Sequence, residues 1–201
     1  MGEKSLMLNQ IKFTNRTVYY DDTEFELVDT SILKYIGTGK TVECPKNYTN
    51  VLYLKDRNVT GLHFHNFIDN LVVQNCSGVL DIRNTDFIDI TVDSKVKVIF
   101  GNNTNVENID LFDFQDIEIG DIDKIDSIRC DDYPQKVLDL CNVRSIGILE
   151  IKSDKLQVLD LSHLDQIYRL TLSTPNLRYI KCFKSFHASE VSINSHYIKQ
   201  L

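Results

Sequence analysis

The sequence predicts an all-β solenoid with two ladders, a chain wound into stacked coils of about 20 residues. Three observations carry this. From Val42 to Cys182 the chain divides into segments of about ten residues with apolar side chains at positions 1, 4 and 6, as in Leu156-Gln-Val-Leu159-Asp-Leu161 and Ile167-Tyr-Arg-Leu170-Thr-Leu172. The segments fall into two alternating sets, and each set recurs every 18 to 21 residues. Within segments polarity alternates with period two, as in Ile109-Asp-Leu111 and Ile117-Glu-Ile119, and helical periodicity is sustained nowhere over a dozen residues.

Taken in order, residues 1–40, which include Tyr19, Tyr20, Asp21 and Asp22, are expected to form an N-terminal cap, because an uncovered first strand offers unpaired backbone groups to other chains. Residues 41–182 form the repeats. The first set of anchors is Val42/Cys44, Leu62/Phe64, Leu80/Ile82, Val98/Phe100, Ile117/Ile119, Leu138/Leu140, Leu159/Leu161 and Ile180/Cys182. The second is Leu52/Leu54, Leu71/Val73, Ile90/Val92, Ile109/Leu111, Ile128/Cys130, Leu149/Ile151 and Leu170/Leu172. Residues two apart on a strand share a face, so both members of a pair point into the core. Equivalent pairs one coil apart then stack as parallel strands about 4.8 Å apart, wound right-handed as parallel crossovers are. Residues 183–201 break the register and are expected to cap the far end, so that 1–201 is one domain.

The repeated Leu-x-x-Leu-x-Leu segment is the leucine-rich-repeat signature. The stretch Phe25-Glu-Leu-Val-Asp-Thr-Ser-Ile-Leu-Lys-Tyr-Ile-Gly-Thr-Gly-Lys-Thr-Val-Glu-Cys-Pro45 resembles the opening of BspA-like leucine-rich-repeat proteins, where a strand, a Gly-x-Gly turn and a second strand precede the first coil. The resemblance covers most of the chain. It implies an LRR-like solenoid that binds proteins or surfaces, and it supplies no catalytic residues.

With 201 residues and 42% hydrophobic content, the chain is long enough for one continuous core. Twenty-nine acidic against 22 basic residues, a net charge of −7, argue against a nucleic-acid surface and favour a basic partner. Cys44, Cys76, Cys130, Cys141 and Cys182 are odd in number and lack a CxxC pair, and three occupy inward anchors, so all five are expected to be reduced core thiols. No apolar run near Met1 resembles a secretory signal and none later reaches the length of a membrane span, which places the expected location in the cytoplasm without membrane attachment. A preceding signal peptide would instead make the five N-x-S/T sequons, at Asn15, Asn47, Asn58, Asn75 and Asn102, candidate glycosylation sites on a cell-surface protein.

Signals of chemistry are few. Gly37-Thr-Gly39-Lys40-Thr41 imitates the end of a P-loop, but Lys34 stands where the motif needs glycine, so the glycines are expected to form a turn. His63 and His65 share one strand face without a third ligand nearby, and no metal or cofactor is expected. The stretch Glu107–Asp132 holds ten carboxylates against Lys124 and Arg129, which keeps open a carbohydrate-active enzyme, although short coils leave no walls for a cleft.

The outward columns of the first set say more. Between the anchors lie Glu43, His63, Asp81, Ile99, Glu118, Asp139, Asp160 and Lys181; just before them lie Val79, Lys97, Asp116, Val137, Val158 and Tyr179. An acidic column thus runs beside an apolar one. Glu118, Asp139 and Asp160, stacked on adjacent coils, would repel by about 1 kcal/mol per neighbouring pair, and a basic partner would relieve that. The expected function is a non-enzymatic protein-binding module with its footprint at Asp81, Asp116, Glu118, Val137, Asp139, Val158, Asp160 and Tyr179. Two other forms of the same reading are a phage- or pathogen-encoded inhibitor of a basic, nucleic-acid-handling enzyme and an exported adhesin-like protein.

Overall fold

The computed structural model describes residues 11–14, 17–20, 23–29, 32–43, 51–65, 68–83, 85, 87–101, 106–182 and 186–197. These form strands and turns without a helix. In chain order the strands are β1 (Ile11–Thr14), β2 (Thr17–Tyr20), β3 (Thr23–Asp29), β4 (Ile32–Tyr35), β5 (Thr41–Glu43) and β6 (Val51–Lys55). Then follow β7 (His63–His65), β8 (Ile68–Asp81), β9 (Phe87–Phe100), β10 (Asn108–Phe112), β11 (Asp116–Ile119) and β12 (Ile122–Cys130). The last six are β13 (Val137–Asp139), β14 (Val143–Lys152), β15 (Val158–Leu161), β16 (Gln166–Ser173), β17 (Tyr179–Cys182) and β18 (His187–Asn194).

The long face of the solenoid is a parallel ladder running β4-β6-β8-β9-β10-β12-β14-β16-β18. Its second-set anchors pair as the repeat requires: Leu52 with Leu71, Leu71 with Ile90, Ile90 with Ile109, Ile109 with Ile128, Ile128 with Leu149 and Leu149 with Leu170. Every one of these is at most 3% exposed, because a backbone with period two that bonds only to its copy one coil away brings like residues into one buried column. Partners are 19 residues apart up to Ile128 and 21 apart from there on. The two added residues enter one corner, since Ile109 and Ile117 are eight apart whereas Ile128 and Leu138 are ten apart. That corner holds Tyr133, whose ring is buried against Phe114 at 5.7 Å and whose hydroxyl donates to the Val137 carbonyl at 2.8 Å. A coil lengthened at a corner keeps its strands in phase.

The short face is less continuous. It consists of β5 with β7, the second halves of β8 and β9 with β11, and β13-β15-β17. Among the described residues no backbone bond joins β11 to β13, and this seam coincides with the change of coil length. Side chains bridge it: Gln135 Nε2 donates to the Gln115 carbonyl at 3.2 Å and Asn142 Nδ2 to the Ile119 carbonyl at 3.0 Å. Ile117, a first-set anchor at the seam, is only partly buried. At Gly101, with φ +129°, a Cβ would lie 2.5 Å from the Gly120 backbone, so only glycine at position 101 allows adjacent coils to approach there.

Two sequence expectations change, at the first anchors and at the C-terminal end. Val42 pairs with Phe64, two residues beyond its expected partner Leu62, because Leu62 closes a tight turn onto the Val59 carbonyl. The N-terminal strands β1 to β4 form an antiparallel meander that joins the ladder through β4. Residues 187–194 do not leave the register: β18 adds another parallel rung, with Val191 beside Leu170 and Ile193 beside Leu172. Anchors at this end are consequently open, Ile180 being partly buried and Cys182 exposed. Cys44 lies outside the described residues.

Candidate functional site

The sequence-predicted residues occupy two separate blocks of the short face. In the first, Asp81 aligns with Ile99 and Glu118, and Val79 with Lys97 and Asp116. In the second, Val137 aligns with Val158 and Tyr179, and Asp139 with Asp160 and Lys181. The seam lies between them, so Glu118 and Asp139 are not register partners and the acidic column is not continuous. Glu43 aligns with His65, not His63.

Most of the carboxylates have their own cations. Arg83 Nη2 lies 2.6 Å from Asp81, Lys97 Nζ 2.6 Å from Glu118, and Lys181 Nζ 2.9 Å from Asp160. The expected repulsion between stacked acids is therefore relieved within the chain. The Arg83 hydrogen bond holds the Asp81 carboxyl below its usual range. Burial alone would raise Asp160, but hydrogen bonds from Ser162 and Lys181 outweigh it and hold that carboxyl low as well. Asp139 and Asp116 form no ion pair among the described residues.

Three aspartates also have a local task. The Oδ1 atoms of Asp81, Asp139 and Asp160 accept the backbone N–H two residues on, from Arg83, Cys141 and Ser162 at 3.2, 2.9 and 3.1 Å. Such an Asx turn bends the chain out of the strand, which explains why Leu-Asp-Ile and Leu-Asp-Leu close these segments.

The second block keeps an uncovered apolar strip. Val137 is 51% and Tyr179 is 41% exposed on the first and third of three consecutive rungs, with half-buried Val158 between them. Sequence reasoning missed what flanks it. Lys136, Gln157 and Arg178 each precede a strip residue and lie on neighbouring coils, Gln157 N–H bonding the Lys136 carbonyl and Arg178 N–H the Gln157 carbonyl. Columns one position further out contained that signal. A depression of about 680 Å³ at one end is lined by Asp116, Pro134, Lys136, Val137, Lys155 and Gln157, among others. A smaller one of about 370 Å³, lined by Asn176, Arg178, Tyr179 and Tyr197, lies at the other.

Among the described residues no three His, Cys, Asp or Glu side chains come together to hold a metal. Gly37 to Thr41 forms a turn into β5, where Tyr35 Oη donates to the Gly39 carbonyl at 2.7 Å. Cys76, Cys130, Cys141 and Cys182 are free thiols. Cys141 is pushed up to about 11 by its hydrogen bond to Asp139 and by burial, so it is protonated and a poor nucleophile at neutral pH. No described helix is long and apolar enough to cross a membrane. No family model, curated protein or solved structure gives a match to the chain.

Proposed function

We propose that the protein is a non-enzymatic binding module whose footprint is the second block of the short face. The observation that carries this is the strip Val137, Val158 and Tyr179, an aromatic and two β-branched side chains left facing solvent on three consecutive rungs. Interfaces take their affinity from such anchors at a desolvated centre with a polar rim. Here the rim has two signs, Lys136 and Arg178 on one flank and Asp139 on the other. The partner is a protein that presents an apolar ridge with a cation toward Asp139; the solenoid supplies a rigid backing. The resemblance to leucine-rich-repeat proteins favours binding over catalysis. The intramolecular pairing of Asp81, Glu118 and Asp160 narrows the expected basic complement to the vicinity of Asp116 and Asp139.

Affinity capture from source cells, quantified for wild type against Tyr179→Ala and Asp139→Lys, tests this. Tyr179→Ala is expected to speed dissociation by at least about tenfold, the cost of an aromatic anchor. Asp139→Lys is expected to slow association and change its salt dependence. A captured partner that binds both variants as tightly as wild type removes this face as the footprint.

A further inference from the structure

Among the described residues every inward column of the long ladder ends on β18. Leu149 and Leu170 are 0% and 3% exposed, whereas Val191, next in the same column, is 55% exposed. Ile193, Ile180 and Phe186 are only partly buried around it. Among the described residues no strand follows β18 on the long face or β17 on the short one, and none of them pairs with the outer backbone edge of this end. Soluble proteins blunt such edges with lysine, proline, an inward charge or a bulge. β18 carries no lysine or proline and shows no register shift against β16, and its one carboxylate, Glu190, is held by Arg169 at 2.7 Å.

We propose that this end pairs with the same end of a second copy, β18 running antiparallel to its counterpart, to give a twofold end-to-end dimer. Self-pairing is written into the inward residues. An axis at Val191 sets that side chain against its own copy and places Ile193 of each chain over Ala188 and Ser189 of the other. The column that holds Ile125, Ile146 and Ile167 falls to Ala188 on this last rung, which leaves room for Ile193. Charge favours a second copy as well. In a chain of net charge −7 like copies repel, but the acids at this end are matched, Glu190 by Arg169 and Asp160 by Lys181. A twofold contact closes on itself, uses both edges at once and stops at two copies.

Sedimentation of the full chain between about 1 and about 100 µM is expected to show the 23.2 kDa monomer converting to a species of twice the mass. Val191→Lys, at an exposed position, is expected to weaken the dimer at least about tenfold while circular dichroism stays as in wild type. Val137→Lys, on the side face, is expected to leave dimerisation intact. As a second measurement, Val191→Cys is expected to form an interchain disulfide on oxidation, because facing residues of an antiparallel pair have Cβ atoms about 5 Å apart. A chain that stays monomeric throughout, a dimer indifferent to Val191→Lys, or a Val191→Cys protein that does not cross-link would each overturn the proposal.

Discussion

Asp160 shows how one side chain serves both the turn and the charge pattern. Its Oδ1 accepts the Ser162 N–H and its Oδ2 meets Lys181 Nζ, with only 15% of the side chain exposed. Its carboxyl is lowered in the folded chain from a reference of 3.8, so it contributes stability that is present above that reference and lost as pH falls through the folded value. Asp81 acts in the same direction. Asp160→Asn keeps an acceptor for the turn but removes the ion pair. It is expected to cost under about 1 kcal/mol at neutral pH and to flatten the drop in melting temperature on acidification, which thermal unfolding across a pH series measures. A wild-type melting temperature that does not fall in acid would contradict this assignment.

At the scale of the element, four corners at the ends of long-face segments share one code. Asp56, Asn75, Asp113 and Asp132 take φ values of 53°, 50°, 47° and 56°, the left-handed region that Asx residues tolerate. Asp56 and Asn75 are 19 residues apart, as are Asp113 and Asp132, and Asn75 Nδ2 donates to Asp56 Oδ1 at 2.5 Å. At two other corners a buried serine takes this position: Ser94 donates to the Val73 carbonyl at 3.2 Å, and the Ser153 hydroxyl donates to the Tyr133 carbonyl at 2.6 Å and accepts the Leu156 N–H at 3.0 Å. Asp132→Gly is therefore expected to be neutral or stabilising, while Asp132→Val is expected to cost about 1–2 kcal/mol, as chemical denaturation would show. The ladders were legible in the sequence because large apolar residues at positions 1, 4 and 6 leave one packing solution. The β18 rung was not, although Ala188, Val191 and Ile193 keep the same spacing, because alanine is a weak anchor. The site was legible as columns, but its neutralisation was not: Lys97 and Lys181 come from neighbouring rungs, and which rungs adjoin depends on a seam that periodicity does not reveal.

Across the whole molecule, stability in a solenoid is the sum of neighbour-to-neighbour contacts. Among the described residues the short-face ladder is broken twice, between β7 and β8 and at the seam, where β10, β12 and β14 hold the long face together while Gln135 and Asn142 stand on the short face in place of a ladder. Native-state hydrogen exchange is expected to find earlier opening for amides of β11 and β13 than for β14 and β16, and Gln135→Ala with Asn142→Ala to widen the difference; uniform protection along both faces would refute it. The change from 19- to 21-residue coils then acquires a mechanical meaning. Pulled along its length, a uniform stack has no preferred place to yield, whereas this one has places without a short-face ladder, one of them between the coils of β11 and β13. Parting at the seam would leave the block that bears Val137 and Tyr179 with its own core, Leu138, Leu140, Leu159 and Leu161 being buried within it.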